Sequence, residues 1–194
     1  MTAEVTPHHL LLDEQLVQGY DATYKVNPPL RRAEDVQALR EGLADGTIDV
    51  IATDHAPHPL EAKECEWNAA AFGMVGLESA LSVVQAAVVD TGHLQWTDVA
   101  RVLSATPAEI GRVAGYADGI VAGAPANLTL FDPSPVRDFS AAMLRGRSVN
   151  TPYAGRTLPG QVIATIHEGN PTVLNGELID TETVAAAVNG APRG

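Results

Sequence analysis

The spacing of apolar positions changes character along the chain. Thr2 to Leu12 reads as a short strand running into a loop at Pro7-His8-His9. A second extended segment surrounds Tyr24 to Val26 and stops at Asn27-Pro28-Pro29, where consecutive prolines forbid a helix. From Glu34 to Ala44, the residues Val36, Leu39, Leu43 and Ala44 recur at helical spacing, and Asp45-Gly46 closes that helix. The β-branched run Ile48-Asp49-Val50-Ile51-Ala52-Thr53 then reads as a buried parallel strand. Residues 59–75 form a long loop. Gly76 to Val89 predicts a helix apolar over most of its surface, and Thr97 to Leu103 predicts another. A further helix is expected to open at Thr106-Pro107-Ala108-Glu109, with a capping threonine, a proline at the first position and a capping-box glutamate, and to end near Gly115.

Near residue 116 the period shifts. Asn127 to Phe131 and Gln161 to Ile166 are short β runs, and Gly169-Asn170-Pro171 and Asn175-Gly176 have hairpin-turn composition. The Ala-, Gly- and Pro-rich tail from about Ala185 is expected to fray. Helix, buried strand, then polar residues at the strand's carboxyl end is the order found in an α/β barrel or an open α/β sheet. The reading therefore divides the chain into an α/β region, 1–115, and an all-β region with a tail, 116–194.

Composition narrows the function classes. The chain has 194 residues, 45% hydrophobic but only 5% aromatic, so aliphatic packing must fill the core. Its formal net charge of −12 disfavours a phosphate-backbone partner. The single cysteine, Cys65, excludes an intramolecular disulfide and a cysteine-based metal site. Met1-Thr2-Ala3-Glu4 lacks the basic and apolar runs of a signal peptide, and no apolar stretch reaches membrane-spanning length. A cytoplasmic location is expected.

The candidate chemistry centres on Thr53-Asp54-His55-Ala56-Pro57-His58. Asp54 falls at the carboxyl end of the expected strand, where barrel enzymes carry catalytic groups. A buried carboxylate there needs a cation, a metal or several donors; the alternative is an aspartate that caps the loop. Strand alternation turns His55 away from Asp54, which favours a structural role. His58 lies beyond the strand and is either a ligand-binding imidazole or an ordinary exposed one. His8 and His9 suit packing roles around a site, because adjacent histidines rarely share a metal. His93 and His167 fall in a loop and near a turn. Asn27 can both donate to and accept from a cyclic amide; Arg31 can hold a carboxylate or simply be solvated. Phe72-Gly73 allows close backbone approach to a ligand, or is a flexible loop.

In order, Ala3-Glu4-Val5-Thr6-Pro7-His8-His9-Leu10-Leu11, Tyr24-Lys25-Val26-Asn27-Pro28-Pro29-Leu30-Arg31, Gly46 through His58, Phe72-Gly73-Met74-Val75-Gly76-Leu77-Glu78, Ala126 through Asp132, and Asn150-Thr151-Pro152-Tyr153 resemble class I dihydroorotase over nearly the whole chain. The resemblance implies the carboxy-terminal part of a metal-dependent (β/α)8 barrel followed by part of a small β-sandwich, with Asp54 ending the eighth strand. It implies reversible cyclisation of N-carbamoyl-L-aspartate to (S)-dihydroorotate and water, in pyrimidine biosynthesis, at two zinc ions. Asp54 would bind one zinc and shuttle the proton. Asn27, His58, Phe72 and Gly73 would contact substrate, with His58 on its carboxylate.

The family's His-x-His, its bridging acidic ligand and two further histidine ligands have no counterpart in these residues. The expectation is therefore a fragment, or a gene model begun too late, that needs an amino-terminal half to bind zinc tightly and act. The alternatives are an allantoinase- or hydantoinase-type cyclic amidase, and a non-catalytic dihydroorotase-like partner of aspartate carbamoyltransferase. A homodimer is a further expected assembly.

Overall fold

The computed structural model describes residues 1–116 and 119–179. The tail expected to fray from about Ala185 lies outside them.

Two short strands, β1 (Glu4–Val5) and β2 (Val50–Ile51), pair in parallel, Glu4 opposite Val50 and Val5 opposite Ile51. The Ala52 N–H extends the ladder to the Val5 carbonyl at 3.0 Å. Helices α1 (Pro7–Leu11) and α2 (Ala33–Ala44) lie between them in sequence. The expected loop at Pro7-His8-His9 is thus a helix. Thr6 caps it by accepting the His9 N–H, and Pro7 occupies its first turn, where a missing N–H costs nothing. α2 ends as its spacing predicts, with Gly46 at φ +83°.

Helix α3 (Ala80–Val84) continues into a wider π-type stretch, Gln85–Val89. The helix expected from Gly76 thus starts later: Gly76 is irregular and residues 77–79 form a turn. α4 (Trp96–Ala100), a π-type stretch at Arg101–Ala105 and α5 (Thr106–Gly111) run on without a break. Thr106-Pro107 is therefore not a helix start. Thr106 is itself helical (φ −62°, ψ −45°), and the chain passes through it. The run ends at Gly111, where Arg112 turns left-handed at φ +53°, rather than at Gly115.

Beyond these helices lies an antiparallel sheet in the order β3 (Leu128–Asp138), β4 (Thr157–His167), β5 (Asn170–Leu174), β6 (Glu177–Leu178). The β5–β6 turn falls on Asn175-Gly176 as composition points, but the β4–β5 turn is Glu168-Gly169, and Asn170 and Pro171 of the expected turn already belong to β5. Glu168-Gly169 and Asn175-Gly176 all have positive φ, between +49° and +82°, matching strand twist.

Two apolar clusters hold the layers together. One joins Val5 and Ile51 of the parallel strands to Leu10, Leu43, Val84, Val88, Val99 and Val102. The other joins Leu12, Val26, Leu30, Met74 and Val83 to Phe139, Tyr153 and Leu158, so it ties the α/β elements to the chain around the antiparallel sheet. The adjacent residues Val83 and Val84 place α3 in both. None of the described helices is long and apolar enough to cross a membrane.

Candidate functional site

The two parallel strands end side by side, and the chain beyond each end carries the polar residues. Asp54 follows β2 by a few residues and is exposed, with φ +47°. The sequence pattern predicts a carboxylate ending a buried strand; β2 is shorter than that run, and within this chain Asp54 stands exposed in a left-handed turn beyond it. No desolvation cost then forces a protein partner on it. His55 is half-buried. Its Nδ1 accepts the Gly76 N–H at 3.1 Å, and its backbone bridges to Met74, so it anchors the loop.

His8 and His9, on α1, are both buried, with ring centroids 4.5 Å apart. His9 Nε2 lies 2.8 Å from the Pro28 carbonyl, which can only accept. Nε2 therefore carries the proton, and Nδ1 accepts from the Thr6 hydroxyl at 2.7 Å. Burial lowers the His9 pKa, opposed by the Pro28 carbonyl and by the charge of Asp54, so His9 lies within the field of that carboxylate. His8 is pushed down to about 3 by burial and by His9, and its Nε2 has no partner among the described residues.

The loop at 59–75 folds back over the strand end. The His58 ring donates through Nε2 to the Phe72 carbonyl at 2.8 Å, leaving Nδ1 as its lone-pair nitrogen in the neutral form. Gly73 has φ +117°, and a Cβ there would lie 2.5 Å from the Ala56 Cβ and 3.4 Å from His58 Nε2. The Gly73 N–H donates to the Lys25 carbonyl at 2.9 Å, which ties this turn to the segment carrying Asn27. Asn27 and Phe72 are both exposed. Of the residues singled out in the sequence, His58, Phe72 and Gly73 thus meet, and Asn27 stands two residues beyond the Lys25 carbonyl that holds Gly73. Asp54 joins them through His55 and Met74. Arg31 points to solvent and pairs with Asp35 at 3.7 Å, and Cys65 is exposed.

Three residues of this cluster carry no signal of their own in the sequence. Lys25 and Lys63 are buried, and their ammonium groups serve backbone carbonyls. Lys25 Nζ donates to Trp67 at 2.6 Å and Ala70 at 2.7 Å and sits 4.5 Å from the Phe72 ring centroid. Lys63 Nζ donates to Ala71 and Gly73, both at 2.9 Å. Burial, then the Lys25 charge, lowers the Lys63 pKa. Asn150 is the third: its amide bridges the His58 and Gly73 segments. A cavity of about 390 Å³ opens beside them, walled partly by His58, Lys63 and Asn150; Asp54, Asn27 and Phe72 lie outside its lining.

No group of three or more His, Cys, Asp or Glu among the described residues could hold a metal ion. Asp54 is chemically suited to be one ligand, and a catalytic zinc needs about three. These residues alone do not make a metal centre.

Comparison with known proteins adds the context. The amidohydrolase family model matches residues 11–172. The chain is 68% identical over 181 residues to a dihydroorotase of Leifsonia xyli subsp. xyli, covering 93% of this chain and 41% of that protein. It is 58% identical over 178 residues to a dihydroorotase of Streptomyces coelicolor, covering 92% of this chain and 42% of that one. For a Mycobacterium tuberculosis dihydroorotase the figures are 49% over 178 residues, 92% and 41%. Among solved structures, an L-hydantoinase (dihydropyrimidinase) from Arthrobacter aurescens superposes with TM-score 0.85 at 27% identity, over 92% of this chain and 40% of its own. A dihydropyrimidinase from Brevibacillus agri shares the fold at TM-score 0.81 and 23% identity, over 92% and 40%. The chain therefore spans about two fifths of the relatives it matches.

Proposed function

The chain belongs to the amidohydrolase family, and from that premise we propose that it is the substrate-facing, Asp54-bearing part of a dihydroorotase. The observation that carries this reading is the 68% identity to a dihydroorotase along 93% of the chain, through every segment that bears a candidate site residue. The fold we assign is the last strands and helices of a (β/α)8 barrel, 1–115, followed by part of a β-sandwich and a tail, 116–194. The cytoplasm is the proposed location.

Dihydroorotate is a cyclic imide bearing a carboxylate. Zinc, when held by Asp54 together with ligands from outside these residues, would polarise the scissile carbonyl and acidify water. Asp54 takes the proton of the attacking water and delivers it to the ring nitrogen as the C–N bond breaks. Among the described residues no side chain or backbone group pairs with the Asp54 carboxylate, which leaves its oxygens available for this. Asn27 offers a donor and an acceptor to the imide edge. His58 meets the substrate carboxylate, its ring held against the Phe72–Gly73 turn by the hydrogen bond to the Phe72 carbonyl. Gly73 keeps the turn's backbone close to the ligand.

The test is reconstitution. The chain is co-produced with the amino-terminal remainder of the 68% identical relative and assayed on dihydroorotate, hydantoin and allantoin. Zinc-dependent hydrolysis selective for dihydroorotate is the expected result. Selectivity for hydantoin would favour the second reading, a hydantoinase-type cyclic amidase, which the superposition at TM-score 0.85 keeps in view. Loss of activity on removing either part would argue against a non-catalytic partner of aspartate carbamoyltransferase.

A further inference from the structure

We infer that Asn150, seconded by Lys63, is a positioning residue that fixes the spacing between His58 and the Phe72–Gly73 turn and so sets affinity for the substrate carboxylate. The inference rests on the reading of His58, Phe72 and Gly73 as substrate-contacting groups.

Asn150 is 8% exposed and stands just before Tyr153, in the second apolar cluster. A buried amide is costly unless its donors and acceptor are used. Here they are used, and on one small region. Its Oδ1 accepts the His58 N–H at 3.2 Å. Its Nδ2 donates to the Ala56 carbonyl at 3.0 Å and to the Gly73 carbonyl at 3.4 Å. Its own carbonyl accepts the Val75 N–H at 3.1 Å. One side chain therefore grips the backbone on both sides of the contact between His58 and Phe72.

Lys63 strengthens the same grip, donating to the Gly73 carbonyl at 2.9 Å. The two segments are held so close that Gly73 has no room for a Cβ. The imidazole of His58 can keep its 2.8 Å contact with Phe72 only while this spacing holds. A residue needed only to fill space here would be apolar. Asn150 instead links the chain that leads into β4 to the face where a ligand would sit.

The experiment uses Asn150→Ala, Asn150→Asp and Lys63→Met in the reconstituted enzyme, with steady-state kinetics on dihydroorotate. Asn150→Ala is expected to raise KM roughly tenfold, the effect of one or two lost hydrogen bonds, with kcat within about threefold of wild type. Asn150→Asp keeps the acceptor for His58 N–H but sets a carboxylate against two carbonyls, so it should fail to rescue KM. Lys63→Met should move KM in the same direction. In the 194-residue chain alone, amide exchange at His58 should quicken about tenfold in Asn150→Ala while the β3–β4 ladder keeps its protection. Unchanged KM, or a lower melting temperature with KM and His58 exchange both unmoved, overturns the inference. A wild-type reconstitution inactive on dihydroorotate refutes the functional reading instead, and His58 exchange then decides whether the clamp exists.

Discussion

Replacing Gly73 by alanine perturbs the site by one methyl group, and the cost can be worked from its surroundings. Gly73 has φ +117°, a conformation that a Cβ disfavours by ~1–3 kcal/mol. The new Cβ would also lie 2.5 Å from that of Ala56, well inside the ~4 Å of ordinary carbon contact. Relieving that overlap in a packed turn adds about 1–3 kcal/mol. Gly92 is the internal control. Its φ of +77° is also positive, but nothing lies within 4 Å of a Cβ built there, so Gly92→Ala carries the backbone penalty alone. Urea unfolding of both variants should therefore show Gly73→Ala the more destabilised by at least ~1 kcal/mol. If the turn yields instead, stability is spared but the hydrogen bond from His58 to Phe72 breaks, and the His58 ring resonances shift. Equal urea midpoints for the two variants, with His58 resonances unmoved, would refute the packing argument.

Other consequences can be checked separately. His8 is held neutral in the folded chain at about 3, whereas unfolded it titrates near 6.5, so the unfolded state binds the extra proton. Stability should fall as pH drops from 6.5 toward 3, by up to roughly 1.4 kcal/mol per unit from this group. Urea midpoints between pH 7.5 and 4.5 should decline less steeply in His8→Leu; parallel declines would remove His8 as the cause. Val102 is fully buried in the first apolar cluster, and Val102→Ala should cost about 2 kcal/mol in urea unfolding. A loss below ~0.5 kcal/mol would mean that the helix relaxes into the space. Lys63→Met strips an ammonium from two carbonyls at 2.9 Å, and protease cutting within 59–75 should accelerate several-fold. An unchanged cutting rate would show that other contacts order the loop.

The sequence patterns that could be read were local ones. α2 follows from the spacing of Val36, Leu39 and Leu43, and the β5–β6 turn follows from Asn175-Gly176. The same logic misled where one dipeptide has two uses. Thr6-Pro7 begins a helix, but Thr106-Pro107 lies inside one. The π-type stretch at Arg101–Ala105 precedes that proline, so the hydrogen-bond pattern changes register just where the proline removes a donor. Asp54 was legible as a strand-end carboxylate, but the left-handed turn that carries it was not, because no pattern announces a positive φ at an aspartate. Lys25, Lys63 and Asn150 stayed hidden for another reason. Their main partners are backbone carbonyls and amides well removed in sequence, and such contacts leave no trace in residue type.

The central claim is that Asp54 moves the proton in cyclic-imide hydrolysis. The most direct measurement is steady-state hydrolysis of dihydroorotate by the reconstituted enzyme carrying Asp54→Asn. That change removes the carboxylate's basicity and nearly keeps its shape. The account predicts a fall in kcat of at least ~10²-fold at every pH, with the partner still bound and the fold intact. Activity within a few fold of wild type would contradict it.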